Sequence, residues 1–221
     1  MIKLFVTSFY NTLIDEEDAI PTSTMFAIDK LKQKGTKLVI LTNRLEDEVI
    51  YYNHDYPFID YIISLNGSRV LDMKTNKSKE FLSFNKSELE EISNKYSKKE
   101  ITYYTSSNVF STIPQEPVYK IEIKGIRKNI DSKYETSIFN RNKEYFLEIT
   151  KNNFLSALEY ITDLKDIVGV IGNESDIKLL DNSKNIYVVR NAPKVLKEKT
   201  DNITKSNKHK GVENIIKSII K

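Results

Sequence analysis

The spacing of apolar positions along this chain changes from one stretch to the next, and each change marks a different element. Ile2, Leu4, Phe5 and Val6 form a run with little alternation, the pattern of a strand buried on both faces in a parallel sheet. Ser8, Phe9, Tyr10, Asn11 and Thr12 follow its carboxyl end, where an open α/β sheet usually forms its ligand crevice. From Pro21, the residues Met25, Ala27, Ile28 and Leu31 recur at helical spacing until Gly35, and proline at the start with glycine past the end predicts a helix between them. Residues 36–41 read as a second buried strand that ends at Thr42, Asn43 and Arg44. Such a strand–helix–strand unit predicts a right-handed crossover and neighbouring parallel strands. A helix over 45–52, a third strand over 61–65 ending at Asn66 and Gly67, and the start of a hairpin at 69–73 complete this block.

Near Thr75 the pattern shifts. Residues 87–96 read as an amphipathic helix carrying Leu89 and Ile92, and three to five β-type runs follow, among 101–105, 109–113, 118–123, 134–138 and 145–149. Alternation in Val118-Tyr-Lys-Ile-Glu-Ile and the turn residues between runs predict a small antiparallel sheet. Residues 76–150 are therefore expected to form an α+β insertion into a core made of residues 1–75 and 151–221. The core pattern resumes with a helix over 154–160 presenting Leu155, Leu158 and Ile161, and a strand over 167–171 ending in Gly172, Asn173, Glu174, Ser175 and Asp176. A helix over 176–180, a last strand over 186–189 and a terminal helix over 211–220 finish the chain. The expected class is α/β, a parallel sheet flanked by helices, with a second, antiparallel sheet.

Composition narrows the functions this fold can carry. In 221 residues, 39% are hydrophobic and 29% charged, with a formal net charge of +3, and the two signs are interspersed rather than gathered on a basic face. That pattern argues against nucleic-acid binding. The Lys-rich stretch from Lys194 onward reads as a solvated helix surface. No apolar run nears the ~20 residues that span a bilayer, and no signal-peptide pattern opens the chain, so no membrane partner is expected. Cysteine is absent, which removes thiolate chemistry and disulfides and fits a cytoplasmic location. Two histidines leave little room for a His-based triad or metal site, and His54 is assigned no role.

Several strand ends together resemble the motifs of the haloacid dehalogenase (HAD) superfamily, in its Cof-type branch. IKLFVTSFYNTL, residues 2–13, is similar to the first motif, a strand followed by Asp-x-Asp-Gly-Thr-Leu. KLVILTNR, residues 37–44, is similar to the second, ISLNGS at 63–68 to the Asn-Gly segment facing the substrate, and VIGNESDI at 170–177 to the fourth. EIT at 148–150, RNAP at 190–193 and KGVE at 210–213 match the branch in order. The resemblance implies a Rossmann-like core, a compact α+β cap of type IIB and Mg2+-dependent hydrolysis of small phosphorylated metabolites. It also assigns roles: a nucleophilic and an acid/base aspartate in the first motif, a phosphoryl-holding Thr or Ser in the second, a lysine before the helix, and metal-binding aspartates in the fourth.

The charged members of that set are replaced. Ser8 stands for the nucleophile, Tyr10 for the acid/base group and Asn11 for the glycine after it. Phe154 stands for the lysine, with Lys151 close by as a candidate substitute, and Asn173 for a metal-binding aspartate, leaving Asp176 one residue out of step. Ser8 needs a base to act as nucleophile, Tyr10 has a reference pKa of about 10, and Mg2+ favours hard anionic oxygens. The expectation is a pseudophosphatase that needs neither catalytic residues nor a metal and serves as a binding or regulatory module. A pocket of Ser8, Tyr10, Thr42, Asn43, Asn66, Gly67 and Asn191 would take a small phosphorylated ligand or a protein partner. The alternative is an active Mg2+-dependent hydrolase using Lys151, Asp176 or a carboxylate from residues 15–18. Individual positions have plainer readings too: Thr42 and Asp176 as caps, Asn66-Gly67 as a turn, Tyr10 as a plug.

Overall fold

A computed structural model describes residues 2–15, 17–54, 56–128 and 133–220. The first strand, β1 (Leu4–Ser8), is buried at every position, as the uninterrupted apolar run requires. Around it assembles an eight-stranded sheet in the order β13-β12-β11-β1-β2-β3-β4-β5. Its members are β2 (Lys37–Leu41), β3 (Tyr61–Ser64), β4 (Arg69–Asp72), β5 (Lys77–Glu80), β11 (Ile167–Ile171), β12 (Ile186–Val189) and β13 (Ile203–Thr204). Strands β13 to β3 run parallel, while β3, β4 and β5 pair antiparallel. Helices α1 (Thr22–Gln33), α2 (Asp47–His54), α4 (Phe154–Ile161), α5 (Ile177–Asn182), α6 (Lys194–Lys197) and α7 (Gly211–Ile219) accompany this sheet.

The second sheet, β7-β6-β8-β10-β9, is antiparallel throughout. It comprises β6 (Ile101–Tyr104), β7 (Val109–Phe110), β8 (Lys120–Lys124), β9 (Glu135–Arg141) and β10 (Glu144–Thr150). Helix α3 (Lys86–Lys95) begins with a capping box between Asn85 and Glu88, and its Leu89 and Ile92 pack on Ile121, Ile123, Leu147 and Ile149. Apolar side chains thus fill one face of the cap sheet.

Some expectations need correction. The strand over 186–189 is not the last, since Ile203–Thr204 adds a two-residue edge beyond it. Lys77–Glu80, beyond the shift in pattern at Thr75, pairs with β4 in the core sheet. Helix α4 buries Phe154, Ala157 and Leu158, a face rotated from the one read in sequence. The largest departure is the polar face of the cap sheet. Alternating Lys and Glu usually mark a solvated face, yet Lys120, Glu122 and Glu148 are 0%, 3% and 1% exposed.

Candidate functional site

The tip of β1 lies beside β11 and β2, where chain connections leave the sheet in opposite directions, the usual place for a ligand crevice. Ser8 ends the strand, fully buried, and its hydroxyl donates to Asp176 Oδ2 at 2.7 Å. The same oxygen accepts the backbone N–H groups of Asn173 at 2.8 Å and Gly172 at 3.2 Å. Asp176 therefore closes the turn after β11. Burial, only partly offset by these donors, pushes its pKa up to about 6.

Beyond Ser8 the backbone turns through Asn11 at φ 59°. The resemblance has glycine there, and asparagine is among the few side chains that accept this left-handed geometry. The amides around it close on one another. Asn11 Nδ2 donates to Asn173 Oδ1 at 3.1 Å, Asn173 Nδ2 to the Tyr10 carbonyl at 3.2 Å, and Asn191 Nδ2 to the Asn11 carbonyl at 2.8 Å. The floor of the crevice is thus a neutral lattice of carboxamides.

Tyr10 stands beside it, half-buried, in the wall of the crevice. Its hydroxyl donates to Glu48, its edge meets Phe9, and the Arg44 guanidinium lies 4.0 Å from its ring centre. Arg44 also pairs with Glu48 at 3.1 Å. Thr42 is buried and its Oγ1 accepts the Arg44 N–H at 3.1 Å, so it stabilises the turn after β2. Asn43 and Asn66 both donate to Glu148 of the cap, at 2.8 and 3.2 Å. Gly67, at φ +92°, packs so tightly on Asn153 that a Cβ would lie 2.2 Å from its backbone. Phe154 sits in the hydrophobic core. Lys151, the candidate substitute, pairs with Glu88 at 3.0 Å. Of the acidic loop, Asp15 accepts the N–H groups of Glu17 and Ala19 and Glu16 lies outside the described residues.

Between core and cap lies a cavity of about 680 Å³, lined by Tyr10, Asn43, Arg44, Asn173 and Asn191 and, from the cap, by Arg141. Ser8, Thr42, Asn66, Gly67, Phe154 and Asp176 do not line it. Two guanidiniums, Arg44 and Arg141, and three carboxylates, Asp18, Glu148 and Glu174, share its lining, and Arg141 is already held by Glu122 at 2.8 Å. Burial raises the Glu174 pKa. Arg141, Glu174 and the buried cap charges escape a linear reading of the sequence. Of these ion pairs Arg44–Glu48 is the one close in sequence, joining the loop after β2 to the first turn of α2.

The donor set at the strand tip does not suit Mg2+. Ser8 offers a neutral hydroxyl, the Asn173 oxygen takes a hydrogen from Asn11, and Asp176 Oδ2 takes three, whereas magnesium demands near-octahedral hard oxygen ligands. Among the described residues, no group of three or more His, Cys, Asp or Glu side chains is placed to hold a metal ion.

The haloacid dehalogenase-like hydrolase profile matches residues 9–171 and 118–216, two overlapping segments that take in most of the chain. The chain belongs to this family. Among solved structures, a HAD-like hydrolase from Bacillus subtilis is 14% identical with a TM-score of 0.83, covering 97% of this chain and 99% of that one. A protein from Streptococcus mutans, 16% identical, has a TM-score of 0.82 and covers 100% and 99%. A sugar phosphatase of HAD subclass IIB, 15% identical, has a TM-score of 0.80 and covers 98% of each chain. No curated protein matches this sequence. Among the described residues, no helix is long and apolar enough to cross a membrane. The HAD phosphatase-type core and its cap are both present.

Proposed function

We propose that this HAD-fold protein binds a small polar ligand in the cap–core cavity and does not hydrolyse phosphoesters, acting as a binding or regulatory module in the cytoplasm. The observation that carries this reading is the state of Ser8. A nucleophile must reach phosphorus from within the cavity, and Ser8 is 0% exposed with its hydroxyl committed to Asp176. Groups that act as a unit fail as a unit, and the acid/base, lysine and metal positions have changed as well. The cavity wall also favours a phosphoryl group little, because its two arginines already face carboxylates.

The second reading, a hydrolase with Ser8 as nucleophile and Asp176 as its base, draws on their 2.7 Å contact. Calorimetric titration of the full chain with Mg2+, then with an aryl phosphate, separates the two. No saturable magnesium heat is expected and no phosphate release. Saturable heat that disappears in Asp176→Asn would defeat the proposal.

A further inference from the structure

The buried charges of the cap sheet form a cluster of which Glu148 and Arg141 reach the ligand cavity while Lys120 and Glu122 do not. Glu122 and Glu148 stand directly opposite each other on β8 and β10, a like-charge pairing that a sheet normally avoids. Lys120 resolves the conflict, with Nζ at 2.6 Å from Glu122, 3.1 Å from Glu148 and 4.1 Å from the Tyr104 ring centre. Arg141 adds a second cation on Glu122, so two positive and two negative charges balance. A buried cluster of this kind is weak as a source of stability by itself, since desolvation offsets much of the attraction.

Its contacts run beyond the cap. Lys120 Nζ donates to the Asn43 carbonyl at 2.5 Å, on the core loop after β2. Glu148 accepts from Asn43 Nδ2 and from Asn66 Nδ2, on the core loop after β3, and from Ser137 Oγ at 2.7 Å within the cap. Across the other side of the cavity, the Ile138 N–H of β9 donates to Glu174 at 3.2 Å and Glu135 pairs with Lys178. The two core loops whose asparagines were expected to face a ligand are both bonded to the cap, and Asn43 lines the cavity as well. From this geometry we infer that Lys120 and Glu148, gripping Asn43 and Asn66, latch the cap shut on the core, so that the cavity is preformed and exchanges ligand through its mouth rather than by lifting of the cap.

Burial works against the Lys120 charge, yet Glu122 and Glu148 hold its pKa above the ordinary lysine value, so the cation of the latch persists at any physiological pH.

The latch is tested independently of any hydrolysis. Cysteine is absent, so spin labels at Y51C on α2 and N140C on β9, both exposed, report the core-to-cap distance in the intact chain. One narrow distance distribution is expected in the wild-type background, and a second, longer population in Asn43→Ala/Asn66→Ala, which spares the Lys120–Glu148 pair. Should that variant fail to fold, Glu148→Gln, nearly isosteric, is read in the same way. A wild-type background that already shows two separated distances overturns the latch, as does a folded variant whose distribution is unchanged.

Discussion

At Ser8 the hydroxyl is committed to a hydrogen bond with Asp176, 168 positions away. In a phosphatase of this fold the first-motif carboxylate must remain open to substrate and metal. Here the hydroxyl that the resemblance puts in its place, that of Ser8, is buried and joins two backbone amides on Asp176. The carboxyl pKa of Asp176, raised by burial from 3.8 to about 6, has a thermodynamic consequence. A carboxyl whose folded pKa lies above its unfolded one favours the protonated native state, so its contribution is complete below about pH 4 and is lost as pH rises through about 6. At about 1.4 kcal/mol per pKa unit, roughly 3 kcal/mol is involved. Urea unfolding between pH 4 and 7 should therefore show wild-type stability falling relative to Asp176→Asn by about that amount, and a parallel pair of profiles would contradict it. Ser8 and Asp176 were each legible in the sequence as candidates. Their contact was not, because it spans 168 positions and depends on how the turn after β11 packs.

The cap sheet shows how far alternation carries at the level of elements. Its strands and the helix on its apolar face follow from the period of two and from the helical spacing of Leu89 and Ile92. The fate of its polar face does not, since whether Lys120 meets water or the Asn43 loop depends on docking against another part of the chain. The two-residue strand Ile203–Thr204 was missed for a different reason: it is too short to display any period. If the buried cluster is as tightly coupled as its distances imply, Lys120→Met leaves Glu122 and Glu148 facing each other with one cation fewer. It should lower unfolding stability by about 3–5 kcal/mol. Lys86→Ala, which removes an exposed pair 3.9 Å apart, should change it by no more than about 0.5 kcal/mol. Denaturant midpoints for both variants check the contrast, and equal effects would place Lys120 outside any coupled network.

Across the whole molecule, the order of strand-end motifs was enough to anticipate the HAD architecture, because buried parallel strands read as uninterrupted apolar runs and their ends carry the distinctive residues. The cavity was only half legible. Its core wall comes from those strand ends, while Arg141 and Glu174 reach it through cap placement and a loop conformation. The resulting molecule keeps a phosphatase-type frame around a floor of carboxamides, a tyrosine in the cavity wall and cavity charges in which carboxylates outnumber guanidiniums. The account rests on that frame having no working nucleophile. Phosphate release from an aryl phosphate and a set of sugar phosphates, measured with Mg2+ for wild type beside Ser8→Ala, tests this most directly. Both proteins should match the enzyme-free blank. Release by the wild type above that blank, abolished by Ser8→Ala, would contradict it.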